Sequence, residues 1–266
     1  MPDIRSAVRE KQPLIHCITN PISIHQCANA ILAVGARPMM AEHPAEVREI
    51  TETADALMLN LGNITDVRME SMLRAAKTAK EAGIPILLDA VGVACSPLRR
   101  EYAMTLLGTA MPTVIKGNYS EIMALYRQSY RCAGVDADAR LDVPAMDRAA
   151  CCLARQWKTM LLASGGVDIV TDGTRLFHIH NGTPQLSRIT GTGCLLGALC
   201  AAYLSATPGP EALVTGCAVL GISGELARTD RGTGTFLLDL MDGLSTLTDR
   251  ELEQTLKLEE IDLASI

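Results

Sequence analysis

Residues Ile84–Asp89, IPILLD, form an unbroken apolar run that ends in an acid. Pro112–Lys116, PTVIK, and Thr159–Ser164, TMLLAS, repeat the form and end in a base and a hydroxyl. A strand with one wet face alternates apolar and polar residues. These runs do not alternate, so both their faces are expected to be covered. Just upstream, Gly83 closes a helical pattern over Thr65–Ala82, which Thr65 can cap and in which Val67, Met69, Met72 and Leu73 recur at helical spacing. Farther upstream, strand-length runs at Leu14–Asn20, Arg37–Ala41 and Ala56–Asn60 alternate with helical stretches at Ile24–Val34 and Pro44–Thr53. This alternation predicts an α/β fold with a mainly parallel sheet flanked by helices. Downstream, short strands at Asp168–Thr171 and Phe177–His180 flank Asp172-Gly173, a hairpin signal. From Gly193 onward the pattern is nearly all helical: Cys194–Ser205, Pro210–Arg228 and Gly234–Thr246, then a charged helical pattern over Asp249–Ile266. Tyr126–Val143 reads as a long surface loop, and with no linker in sight residues 1–266 read as a single domain.

The chain has 266 residues, 24 basic and 30 acidic, for a net charge of −6, and it is 48% hydrophobic. That composition excludes a wholly disordered chain, and the net negative charge, with no obvious basic face, argues against nucleic acid. The nine cysteines form no CxxC pair and read as buried reduced thiols of a cytoplasmic protein. The N-terminus, MPDIRSAVREKQ, lacks the apolar stretch of a leader. The most apolar helical stretch, Cys194–Ala206, is too short to span a bilayer, so no membrane partner is expected.

Open parallel sheets bind ligands at the carboxyl ends of their strands. Those ends carry Asn20, Asn60 with Gly62-Asn63, Asp89, Lys116 with Gly117-Asn118, and Ser164 with Gly165-Gly166. Thr190-Gly191-Thr192-Gly193-Cys194 is a glycine-rich turn running straight into a helix, where free N–H groups suit an anion. Cys194 then sits in the first helical turn, where the dipole favours thiolate; the alternative is a cysteine that simply packs. Asp89 and Glu121 are carboxylates suited to a hydrated Mg²⁺ beside a phosphate site. The alternatives are a helix cap at Asn118 and a surface ion pair at Glu121. Other motifs fail: there is no GxxxxGK[ST], no HExxH, and Gly191, Gly193 and Gly197 do not spell a dinucleotide fingerprint. His178 and His180 can share a strand face, but two histidines without a third ligand make a poor metal site. Met39-Met40 suits a core or a pocket of low polarity.

The segments HCITNPIS (16–23), GARPMMAEHPAE (35–46), LNLGNIT (59–65), KGNYSEIMAL (116–125), SGGVDIVTDG (164–173) and TGTGCLLGAL (190–199) resemble the hydroxyethylthiazole kinases. The resemblance implies a ribokinase-like fold and ATP-dependent phosphorylation of the hydroxyl of 5-(2-hydroxyethyl)-4-methylthiazole in thiamine salvage. It also implies a homotrimer with active sites at subunit interfaces. By position, Met40 and Gly191 would contact the thiazole, with Asn20 and Gly62 beside them. Lys116 and Ser164 would bind ATP, Asp89 and Glu121 would serve Mg²⁺ through water, and Cys194 would be the catalytic base, where the wider superfamily has Asp.

Two departures are visible: Lys116 stands where Arg is also common, supplying charge but not a bidentate fork, and a loop differs. The family usually shows DPVGxG where this chain has Asp89-Ala90-Val91-Gly92-Val93-Ala94, and the missing Pro and Gly are expected to alter loop stiffness. The rival readings are a kinase for another small alcohol such as hydroxymethylpyrimidine and a non-catalytic sensor. Cys194 with HCITN speaks against the first, and Asp89, Glu121, Lys116 and Cys194 together speak against the second.

Overall fold

The computed structural model describes residues 1–127, 129–132 and 141–265. Helix α1 (Pro2–Lys11) precedes β1 (Leu14–Ile18), α2 (Ile24–Ala33), β2 (Arg37–Met39), α3 (Val47–Glu52) and β3 (Ala56–Asn60). Then come α4 (Asp66–Ala82), β4 (Ile86–Asp89), α5 (Pro97–Ala110), β5 (Val114–Asn118), α6 (Tyr119–Tyr126), α7 (Val143–Trp157) and β6 (Met160–Ser164). The last third holds β7 (Asp168–Thr171), β8 (Leu176–Ile179), α8 (Thr192–Leu204), α9 (Pro210–Leu226), α10 (Thr233–Thr246), α11 (Asp249–Thr255) and β9 (Leu258–Ile261).

The strands form one sheet in the order β2-β1-β3-β4-β5-β6-β7-β8-β9. It is parallel from β2 to β6 and antiparallel from β6 to β9. Every residue of β3 and β4 is buried, as their unbroken apolar runs require. One face of the sheet packs on α4 to α7 through residues such as Leu57, Leu88 and Ile115. The other packs on α1, α2 and α8 to α10 through Met58, Leu87 and Val114. Helix α8 is apolar all round, and Cys194 to Leu204 are all buried. Among the described residues no helix is long and apolar enough to cross a membrane.

Several elements differ from the sequence reading. The helix expected from Pro44 starts at Val47, and the strand expected to reach Ala41 stops at Met39. Helices α1, α5 and α7 lie outside the helical stretches read from the sequence; each opens on a proline in the first turn, where a missing N–H costs nothing. The charged terminal pattern is helix only to Thr255. Leu258–Ile261 then pairs with β8, because backbone groups at a sheet edge outweigh a weak helical periodicity. Much of the expected Tyr126–Val143 loop lies outside the described residues.

Candidate active site

Strand register builds the floor of the site. Asn60 lies opposite Asp89 across β3 and β4, and Asp89 opposite Lys116 across β4 and β5. Register partners point to the same face, so three polar side chains stand in one row at the carboxyl ends of three buried strands. They continue the face that carries Met58, Leu87 and Val114 and meets α8. All three are buried. The Lys116 Nζ lies 3.0 Å from Asp89 Oδ1, and Asn60 Nδ2 donates to Asp89 Oδ2 at 2.9 Å. Burial alone lowers the Lys116 pKa, but the charge of Asp89, with Cys194 and Glu121 behind it, outweighs burial and holds the ammonium above its ordinary value.

Two side-chain amides connect this row to Cys194. Asn20 Nδ2 donates to Asn60 Oδ1 at 3.1 Å and to the Cys194 Sγ at 3.1 Å. Asn60 Nδ2 gives its second hydrogen to the same sulfur at 3.3 Å. All four amide hydrogens of the pair are thereby placed. The preference of the helix start for thiolate is opposed here. Burial raises the Cys194 pKa, the Asp89 charge raises it further, and Lys116, Ser23 and Asn20 only partly offset them. At rest the group is a neutral thiol with two N–H donors aimed at its sulfur.

Above the row lies the start of α8. Gly191 is its N-cap at φ 94°, a conformation that glycine adopts without strain. A Cβ there would also lie 2.8 Å from Gln26 Oε1 and 3.0 Å from Ser23 Cβ. The helix begins at Thr192, so the N–H groups of its first turn find no carbonyl within it. A Cβ added at Gly193 would stand 3.6 Å from Lys116 Nζ, which places the ammonium just beneath this turn. Helix start and ammonium together present positive charge and N–H donors suited to an anion. Gly62 makes the other close approach: its N–H donates to Asn60 Oδ1 at 2.9 Å, and a Cβ would collide with Asn20 and Asn60.

Glu121 closes the far side. Asn118 and Glu121 form a capping box at the start of α6, so Asn118 is the helix cap weighed as an alternative. Glu121 is buried rather than in a surface ion pair. Its Oε2 accepts the Asn118 N–H at 2.7 Å, and its Oε1 accepts the Gly92 N–H at 2.7 Å. Burial and the Asp89 charge raise its pKa from 4.5 to about 7, against Lys116 and the two N–H groups. The expected change of loop stiffness meets a compensation: Ala90 uses an N–H that Pro lacks, donating to the Lys116 carbonyl at 2.8 Å.

A cavity of about 870 Å³ opens over these groups. Asn20, Gly62, Lys116, Glu121, Ser164, Gly191 and Cys194 all line it. Two expected residues do not. Asp89 stands behind Lys116 with both carboxylate oxygens already bonded, so it meets the cavity through its neighbours. Met40 follows β2, half-buried, beside Ala41, whose carbonyl accepts a hydrogen bond from the buried His16 at 2.9 Å. The cavity wall also holds residues that the sequence reading missed. Asp168, at the start of β7, accepts the Gly165 N–H at 3.0 Å, and burial raises its pKa to about 6. Arg99, in the first turn of α5, reaches the Val91 carbonyl at 3.4 Å and leans over Gly92.

The sequence model of the "Hydroxyethylthiazole kinase family" matches residues 5–250. The chain belongs to the hydroxyethylthiazole kinase family. The chain is 45% identical over 255 residues to hydroxyethylthiazole kinase 2 of Clostridium botulinum strain Hall, covering 92% of this chain and 95% of that one. It superposes on the hydroxyethylthiazole kinase of Pyrococcus horikoshii OT3 with a TM-score of 0.90 at 33% identity, covering 98% of this chain and 100% of that one. A ribokinase-like superfamily protein of Enterococcus faecalis V583 superposes with a TM-score of 0.65 at 14% identity over 91% of this chain and 89% of that one, a likeness of fold alone. The fold is therefore ribokinase-like.

Proposed function

We propose that this chain, acting as one domain, transfers the γ-phosphoryl group of ATP to the primary hydroxyl of 5-(2-hydroxyethyl)-4-methylthiazole in thiamine salvage. The observation that carries the reading is the polar row Asn60–Asp89–Lys116 beneath the start of α8, with Lys116 and Cys194 both on the cavity wall. Phosphoryl transfer is mostly positioning and charge stabilisation. In this reading the first turn of α8 and the Lys116 ammonium would stabilise the charge that the transferred group gains. Gly191, Gly62 and Asn20 shape the wall that would receive the thiazole alcohol. Ser164, half-buried at the end of β6, lies on the part of the wall that would take the nucleotide.

Cys194 is the candidate base. A neutral thiol removes the hydroxyl proton poorly, so most of its contribution comes as the proton leaves and the sulfur gains charge. The amides of Asn20 and Asn60 are aimed at that charge. Glu121 fits a hydrated Mg²⁺: each oxygen is used once by backbone and keeps a second lone pair at the cavity wall. Bound there, Mg²⁺ would offset charge on the ATP phosphates. Asp89 would act on it only through the field, since its oxygens hold Lys116 and Asn60.

From the family resemblance we also propose a homotrimer in which Met40, here packed half-buried against its own chain's core, contributes to a neighbour's site. Sedimentation of the purified protein tests the assembly. The activity is tested by coupled ADP release with ATP, Mg²⁺ and the thiazole alcohol, against hydroxymethylpyrimidine and no-substrate controls. Thiazole-dependent turnover abolished by EDTA is expected. Turnover with the pyrimidine alone overturns the substrate, and silence with both from folded protein that binds ATP overturns the reaction.

A further inference from the structure

Strand β8 carries His178, with His180 just beyond its end, and β9 sets Glu259 in register opposite His178. One ring nitrogen of each histidine and one carboxylate oxygen of Glu259 lie within 4.8 Å of one another. We propose that His178, His180 and Glu259 form a site for a first-row divalent transition ion of the Zn²⁺ type, distinct from the Mg²⁺ of phosphoryl transfer. Two imidazoles and one carboxylate select borderline ions, whereas Mg²⁺ takes oxygen ligands.

Spacing supports the assignment. His180 Nε2 lies 3.4 Å from Glu259 Oε2. Bonds of about 2.0–2.1 Å to a tetrahedral Zn²⁺ put neighbouring donor atoms about 3.3 Å apart. Prior orientation supports it as well. His178 is buried, and its Nε2 lies 2.8 Å from Oδ1 of Asp147, itself buried on α7. An Nε2–H donated to Asp147 leaves the lone pair on Nδ1, the arrangement by which carboxylates hold ligating histidines. Side chains of His180 and Glu259 are 37% and 63% exposed, so both can close on an ion arriving from solvent and leave water in the fourth position. The third ligand comes from β9, which the sequence does not announce. His180 also lines the large cavity, so an ion here would tie the cavity rim to the last strand.

The test uses untagged, metal-free full-length protein without nucleotide, in a Cys95→Ser/Cys152→Ser background that removes the two exposed thiols. Zn²⁺ binding is measured by calorimetry, and Co²⁺ binding by its visible absorption. One Zn²⁺ per chain and a four-coordinate Co²⁺ spectrum are expected. His180→Ala and Glu259→Gln, both at exposed positions, are expected to weaken binding at least tenfold, and Asp147→Asn by about 10–100-fold. Zn²⁺ should raise the Tm of the background protein and not that of its His180→Ala variant. Equal affinity in the background protein and its His180→Ala variant overturns the proposal. So does a six-coordinate Co²⁺ spectrum.

Discussion

At Cys194 three effects compete. The start of α8 favours thiolate, and so do Lys116 and two amide N–H groups; burial and Asp89 oppose them and prevail. Cys194→Ala is therefore expected to lower kcat by about 10²-fold, the small end of general-base effects, and to leave measurable turnover. Cys194→Asp should stay active, because a carboxylate in that niche accepts from Asn20 and Asn60. The wild-type rate should keep rising with pH as the thiol ionises, and the Asp variant should lose that rise. Unchanged kcat in Cys194→Ala would remove the base role. Most of the niche was legible residue by residue. A glycine turn running into a helix marks Gly191 and Cys194, and polar strand ends mark Asn20, Asp89 and Lys116. Arg99 and Asp168 carried no such signal, since an arginine in a first helical turn and an acid at a hairpin strand look ordinary until the chain folds. That Asp89 turns to Lys116 rather than to the cavity is a matter of register, which depends on strand partners and not on local sequence.

The loop after β4 and the start of α6 act as one element through Glu121, whose two oxygens hold Gly92 of the loop and Asn118 of the cap. This bond pattern ties the loop to the helix cap, and in the proposed reading it would couple metal binding to protonation. With a pKa raised from 4.5 to about 7, Glu121 in metal-free protein is mostly protonated at pH 6 and mostly ionised at pH 8. A divalent cation binds the ionised form. Below about pH 7, Mg²⁺ affinity should fall roughly tenfold per pH unit. Activity at limiting Mg²⁺ should fall with it, and the midpoint should move to lower pH as Mg²⁺ is raised. A midpoint indifferent to Mg²⁺ would take Glu121 out of the metal's reach. Elements buried by their own pattern, such as β3, β4 and α8, were legible in the sequence. Strand β9 was not, because its pairing with β8 joins residues far apart in the chain.

Over the whole molecule, β9 covers the open edge of the antiparallel end and presents Glu259 and Glu260, charges that discourage further strand addition. Lys257 also donates its N–H to Asn181, a residue of the cavity wall, at 2.8 Å. Deleting residues 257–266 should cost about 2–4 kcal/mol, at about 1 kcal/mol for each of a few ladder bonds. That is roughly 5–15 °C in Tm. Hydrogen exchange should quicken in β8 while β3 and β4 stay protected. An unchanged Tm would mean that β9 contributes nothing to the fold. The two faces of the sheet, finally, are not covered at the same time during synthesis. Helices α4 to α7 are interleaved with the strands and emerge from the ribosome beside them. Helices α8 to α10 follow only after β6 is complete. A nascent chain that has emerged as far as Ser164 thus shows water the face bearing Met58, Leu87 and Val114, with Asn60, Asp89 and Lys116 at its rim. The surface that becomes the floor of the candidate site therefore has α1 and α2 beside it but waits for α8 to cover it.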